Sequence, residues 1–276
     1  MHCGILDDKG GRTVENKEYG WKRWLAAAAG FLLMVPMIFL LPGCGDAPLP
    51  QPVKPKSAAY RKVEAFANEK GLSMDLWPEE LIDLLERNPE TEEYVLHYPL
   101  GKDSPPQTDL AALAGTDRIP ALYQWDARWG YTQYNESYMG LSGCGPTCLS
   151  MVCLYVLEDP TLTPQYLAKF SEENGYCSKG QGSHWSLFSE GGPKLGMEVI
   201  EIPLDENRII RNLEVGNPIV CNMGPGDFTT GGHYIVMVGY EDGKIRVNDP
   251  NSPERTAQLW EYERIKSQIR NLWVCR

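Results

Sequence analysis

The stretch Leu141-Ser142-Gly143-Cys144-Gly145-Pro146-Thr147-Cys148-Leu149-Ser150-Met151 sets a thiol between two glycines, directly ahead of an apolar run that continues to Leu157. Glycine on either side of a residue permits a sharp turn and a close approach of other groups. Pro146 suits a first helical turn, where its missing N–H costs nothing. The pattern predicts Cys144 at or just before a helix N-terminus, where unpaired N–H groups and the helix dipole favour negative charge. A thiol in such a place has a lowered pKa and is a nucleophile. The same letters also describe an inert cysteine in a tight turn, so its partners decide.

A cysteine nucleophile needs a base, and the base needs an orienting group. The chain holds four histidines. His2 precedes the apolar N-terminal run, and His97 reads as a surface residue of a helical region. That leaves His184, after a glycine-rich loop, and His233. The segment after His233 predicts a strand over Tyr234–Tyr240. Asp242-Gly243 predicts a hairpin turn, Lys244–Asn248 the return strand, and Asp249-Pro250 its end. His233 and Asp249 then lie at the same open end of one hairpin. A two-residue turn would set Asp249 opposite Val236, leaving His233 three residues on, about 10 Å along a strand. Twist, a bulge or a bend after Asn248 must close that gap. His233 is preferred over His184 because a strand fixes it and a carboxylate shares its end. The catalytic candidates are therefore Cys144, His233 and Asp249, in chain order.

The elements that must position these residues follow from periodicity and punctuation. Tyr60, Val63, Phe66 and Ala67 keep helical spacing up to Gly71, and Trp77-Pro78-Glu79-Glu80 opens a second helix that Asn88-Pro89 ends. Glu90–His97 reads as a third, shorter helix. Gly101–Thr116, rich in Pro, Ser, Gly and Ala, reads as a connector, and a new unit starts at Arg118. Tyr123, Trp125, Trp129 and Tyr131 suit either a groove wall or a core. Further helices are expected over Pro164–Asn174 and Asp205–Gly216, and strands over Gly196–Ile202 and Pro218–Met223. Met223–Gly231, just before His233, is expected to form one rim of a groove.

The 276 residues suffice for one domain plus extras. A net charge of −11 argues against a nucleic-acid partner, which would want a basic face. Trp24–Leu41 is an apolar run without a charge, preceded by Lys17, Lys22 and Arg23. This is the layout of an export signal or a membrane anchor. It ends in Leu41-Pro42-Gly43-Cys44, which resembles a bacterial lipobox with Cys44 as the lipidated residue; an uncleaved anchor is the alternative. The proline-rich stretch after it suits a stalk. Both readings place the bulk of the chain outside the cytoplasm. A disulfide among Cys148, Cys153, Cys177, Cys221 and Cys275 is compatible with that compartment, with the pairing open. With no Cys-x-x-Cys pair, no structural zinc site is expected.

Gly143-Cys144-Gly145-Pro146-Thr147-Cys148-Leu149 resembles the cysteine motif of papain-like peptidases, in particular the bacteriocin-processing (double-glycine) peptidases and their stand-alone relatives. Gly232-His233-Tyr234-Ile235-Val236 is similar to that family's histidine motif and Val247-Asn248-Asp249-Pro250-Asn251 to its aspartate motif. Tyr123-Gln124-Trp125-Asp126-Ala127-Arg128-Trp129 resembles the entry segment of the stand-alone branch, whose glutamine contributes to the oxyanion hole. The resemblance covers about Arg118–Arg276. It implies an α+β papain-like fold, with the cysteine helix in an N-terminal helical part packed on a C-terminal antiparallel sheet. It also implies Gln124 as an oxyanion donor. Transporter-fused members carry that glutamine a few residues before the cysteine, so Gln133 is the alternative. No ATP-binding cassette follows, so the family's leader-peptide substrate is not carried over. The expected organisation is an export signal with lipobox or an anchor (1–44), a linker (45–58), a helical preface (59–100), a connector (101–117) and a peptidase-like domain (118–276). The expected function is extracytoplasmic cleavage of a peptide or protein through a Cys144 acyl-enzyme, without cofactor or metal. The alternatives are an idle peptide-binding module, or a cell-wall peptide hydrolase or acyltransferase using the same triad. The oligomeric state is left open.

Overall fold

A computed structural model describes residues 56–105, 109–180 and 182–276. The expected export signal or anchor, Cys44 and nearly all of the linker lie outside the described residues. No helix of the described residues is long and apolar enough to cross a membrane.

The longer helices of the preface are α1 (Ala58–Lys70), α2 (Glu79–Arg87) and α3 (Glu92–Leu96). Ser57 caps α1 by accepting the N–H of Tyr60, and Gly71 ends it in the left-handed region at φ 65°. The stripe Leu81, Leu84 and Leu85 packs with Val63, Ala67, Tyr94, Val95 and Tyr98 into a core that also takes in Tyr131. The preface thus shares its core with the chain that follows. His97 is exposed, with Nδ1 on the carbonyl of Glu93 at 2.9 Å.

The cysteine helix α4 (Cys144–Val156) is buried without a break from Gly145 to Leu154. A helix apolar on all sides belongs in an interior. Next come α5 (Pro164–Glu173), β1 (Val199–Glu201), α6 (Glu206–Glu214), β2 (Ile219–Met223), β3 (His233–Glu241), β4 (Lys244–Asn248), β5 (Leu259–Trp260) and β6 (Ile269–Cys275). The six strands form one sheet in the order β1-β6-β2-β3-β4-β5, every neighbour antiparallel. Successive strand side chains point to opposite faces. Val220, Tyr234, Val236 and Trp273 accordingly join the core of α4, while Ile219, Cys221, Ile235, Met237 and Val274 join the core of α6 with Ile209 and Leu213. Burial on both faces explains the apolar runs Ile219–Cys221 of β2 and Tyr234–Met237 of β3. The expected papain-like α+β arrangement, a cysteine helix packed on an antiparallel sheet, is the one found. β6, inserted between β1 and β2, is the principal element that the periodicity reading did not identify.

The hairpin behaves as expected at its turn and differs in its ladder. Asp242 and Gly243 lie at φ 52° and 76°, as a two-residue turn of this twist demands. A register shift between Met237 and Gly239 then sets Asn248, not Asp249, opposite Val236. The extra residue carries Asp249 one step further toward His233.

The open question of a disulfide is answered for the described cysteines. All six described ones, Cys144, Cys148, Cys153, Cys177, Cys221 and Cys275, are free thiols. Cys148, Cys153, Cys221 and Cys275 are fully buried in the two cores as small apolar side chains.

Candidate active site

Cys144 is the first residue of α4, with Gly143 as its N-cap. The two flanking glycines serve space rather than turning. Gly143 sits at φ −85°, and Gly145 is not among the residues of positive φ. A Cβ on Gly143 would lie 2.5 Å from the carbonyl oxygen of Met139, and one on Gly145 would lie 2.3 Å from Ser183 Oγ. The protein's own chain fills the room these glycines leave. Ser183 is itself held, accepting or donating a 2.7 Å hydrogen bond with Tyr134 Oη, while Tyr234 Oη donates to its carbonyl at 3.1 Å.

His233 opens β3, paired with Met223 of β2. Its side chain is 7 % exposed, and Nε2 lies 2.8 Å from Oδ1 of fully buried Asp249. With Nε2 so engaged, Nδ1 is the ring nitrogen left for the Cys144 thiol, whose pKa the His233 side chain lowers. Asp249 is held on every side. Its Oδ1 also accepts the N–H of Asn251 at 2.8 Å, its Oδ2 accepts Arg255 Nε at 2.5 Å, and its own N–H donates to Thr256 Oγ1 at 2.9 Å.

Burial alone would push all three groups toward neutrality. It is outweighed in each. Burial pushes the Cys144 thiol up, but the hydrogen bond and charge of His233, with the N–H groups of Tyr234 and Gly145, bring it below its ordinary 9.0. Burial lowers His233, yet the charge and hydrogen bond of Asp249, aided by Cys144, raise it from 6.5 to about 10. Burial raises Asp249, and His233 and Arg255 hold it below 3.8. The alternation thiolate, imidazolium, carboxylate, guanidinium is the arrangement in which every charge has an opposite neighbour. Burial pushes Cys148, Cys153, Cys177, Cys221 and Cys275 the other way, upward.

Gln124 is 3 % exposed and bridges the two halves of the site. Its Nε2 donates to the carbonyl of Gly140 at 2.9 Å, just before the cysteine helix, and its backbone N–H donates to the carbonyl of Pro250 at 2.8 Å, just after Asp249. Its Oε1 is buried without a partner. Gln133, the alternative donor, is exposed on the hairpin Gln133–Tyr134/Ser137–Tyr138. His184 spends Nε2 on Ser178 Oγ at 2.6 Å. The expected rim before His233 is pinned: Asp227 accepts from Arg264 and from Gln268 Nε2, and its N–H donates to Gln268 Oε1 at 2.7 Å. Of the four aromatics, Trp129 and Tyr131 are core, while Tyr123 and Trp125 are half-buried and stacked at 5.3 Å.

Arg255 was not singled out by sequence reasoning. Its signal was present: Ser252-Pro253-Glu254 is a helix-start pattern, and it sets Arg255 on a turn shortly after Asp249. Ser252 does cap that turn, accepting the N–H of Arg255 at 3.0 Å. Among the described residues no group of His, Cys, Asp or Glu converges that could hold a metal ion.

A half-buried thiol on a helix N-terminus, facing an imidazole oriented by a buried carboxylate, is the site of a papain-like thiol hydrolase. The chain belongs to the Peptidase_C39-like family, whose model matches residues 116–275. Two solved structures similar to it are the peptidase domain of Streptococcus ComA, described as a bi-functional ABC transporter of a quorum-sensing pathway, and a C39-like peptidase from Bacillus anthracis. The first is 22 % identical at TM-score 0.39, over 48 % of this chain and 89 % of its own. The second is 15 % identical at TM-score 0.32, over 57 % and 94 %. The comparison with curated proteins finds no match.

Proposed function

We propose that this cysteine peptidase domain cleaves peptide bonds through a Cys144 acyl-enzyme, with His233 as acid and base and Asp249 as its orienter. The observation that carries the reading is the Cys144–His233–Asp249 alignment, with the thiol alone among the described cysteines in having a lowered pKa. The Cys144 thiolate attacks the scissile carbonyl carbon, and the carbonyl π electrons move to oxygen. The free hydrogen of Gln124 Nε2 and the Cys144 N–H are the donors for that oxyanion, each worth about 3–4 kcal/mol in such sites. His233 Nδ1 gives its proton to the amine nitrogen as the C–N bond breaks, and the thioester remains. His233 then takes a proton from water, hydroxide adds to the thioester carbon, and the acid leaves as the thiolate is regenerated.

The complete triad disfavours an idle peptide-binding module. An extracytoplasmic tether through residues 1–44 belongs to the same proposal and is supported by the apolar run and Cys44. Incubation of the full chain and of Cys144→Ala with a mixture of peptides, read by mass spectrometry, tests the chemistry. Cleavage that disappears in Cys144→Ala supports it, and equal cleavage by both sinks it. Metabolic labelling with a palmitate analogue, lost in Cys44→Ala, tests the tether.

A further inference from the structure

We propose that the helical preface is a working part of the active site: Asn88 and Glu90 hold the segment Asn251–Arg255, and Arg255 in turn fixes the carboxylate of Asp249. The proposal rests on the triad reading above.

Asp249 is fully buried, Oδ2 included. Were it unpartnered, this buried oxygen would carry a desolvation cost, and the carboxylate would lose a constraint on its rotation relative to His233. Arg255 Nε, 2.5 Å away, removes both problems. Arg255 rides on a helix of only four residues, Pro253–Thr256. So short a helix has no stability of its own. What holds it comes from elsewhere. Glu90 Oε1 accepts the N–H of Glu254 at 2.8 Å, at the first turn of that helix. Asn88 Nδ2 donates to the carbonyl of Asn251 at 2.8 Å, beside the 3.2 Å bond from Trp125 Nε1 to the same oxygen. Asn88 and Glu90 lie at the end of α2 and in the turn behind it, ahead of the residues matched by the family model, 116–275.

The preface also grips the other half of the site. Tyr94 Oη donates to the carbonyl of Gly130 at 2.8 Å, and the ring stacks on Tyr131 at 4.7 Å. The same hydroxyl packs so closely on Gly140 that a Cβ there would lie 2.3 Å from it. Gly140 is the residue whose carbonyl takes Gln124 Nε2. The segment thus holds the aspartate turn on one side and, through Gly140, the glutamine on the other.

The test compares full-length Arg255→Gln, Arg255→Lys and the double variant Asn88→Ala/Glu90→Gln with Asp249→Asn as reference. Two readouts are needed: the pH dependence of Cys144 alkylation by iodoacetamide, and the split of peptidase activity into kcat and KM. A loosened carboxylate supports the imidazolium less, so the alkylation midpoint rises toward the ordinary thiol value. The expected fall in kcat is about tenfold for Arg255→Gln and for the double variant, with KM nearly unchanged and a smaller loss than in Asp249→Asn. Arg255→Lys, which keeps the charge, recovers part of the loss. If Asp249→Asn moves the alkylation profile while the other variants leave it in place, the proposal is overturned and the triad reading stands, even where their unfolding midpoints fall. If Asp249→Asn itself leaves the profile unmoved, the triad reading fails and the proposal falls with it.

Discussion

His233 Nε2 and Asp249 Oδ1 stand 2.8 Å apart in a pair that solvent scarcely reaches, although the hairpin ladder alone would leave them offset. The bulge between Met237 and Gly239 and the turn after Asn248, tied by Thr256, Asn251 and Arg255, bring them together. Asp249→Asn keeps the shape and removes the charge. Activity on peptides is expected to fall by about 10²–10⁴-fold with little change in KM. Asp249→Ala also strands Arg255 and is expected to cost about 3–5 kcal/mol in denaturant unfolding. Full activity in either variant would remove Asp249 from the mechanism.

The pH profile of kcat/KM follows from the same pair. The expected acid limb is protonation of the Cys144 thiolate, whose pKa lies below 9.0, and the expected alkaline limb is loss of the His233 proton near pH 10. Stability follows by linkage. Asp249 is depressed, so its contribution is present above the unfolded carboxylate range and is lost as pH falls through its folded value. His233 is raised, so its contribution is full below 6.5 and is lost as pH rises through about 10. Asp249→Asn should flatten both flanks of the stability curve; flanks unchanged by that substitution would assign them to other groups.

Thiol reactivity separates Cys144 from its neighbours. One equivalent of iodoacetamide near neutral pH is expected to label Cys144 first, with Cys148, Cys153, Cys221 and Cys275 labelled only on unfolding. Peptide mapping by mass spectrometry gives the order. Early labelling of Cys148 would contradict the burial that holds it neutral.

Gln124→Ala removes the proposed side-chain oxyanion donor and is expected to lower kcat by about 10²–10³-fold, with KM changed far less. Gln133→Ala, on the exposed hairpin, should leave both constants near their starting values. The reverse order would transfer the oxyanion role to Gln133.

Gly145→Ala places a methyl group 2.3 Å from Ser183 Oγ at the first turn of the cysteine helix. The expected cost is about 1–3 kcal/mol of stability, together with slower alkylation of Cys144 as the helix start shifts. Pairing it with Ser183→Gly should restore part of both, since the two residues share one space. A double variant no better than the single would locate the strain elsewhere.

Much of the site was legible in the chain because its parts carry local signatures. Gly-Cys-Gly-Pro ahead of an apolar run marks a nucleophile on a helix start, and His233 and Asp249 flank a hairpin whose turn is written in Asp242-Gly243. Gln124 was named through the resemblance of its segment to the family's entry motif, with Gln133 as the alternative. What the sequence could not decide were the relations made by chain segments far apart. The bulge at the middle of β3 appears only in the register with which β3 pairs β4. β6 reads as an isolated apolar run until β1 and β2 close on either side of it. The glycines beside Cys144 were legible as needed, but only the folded chain shows that Met139 and Ser183, not a turn, require them. Asn88 and Glu90 are ordinary surface letters in sequence, and only tertiary contacts across more than 160 residues make them supports of Asp249's turn. The residue types and their order were fixed by local chemistry; the charges they carry and the distances between them were decided by burial and long-range contact, which no single segment contains.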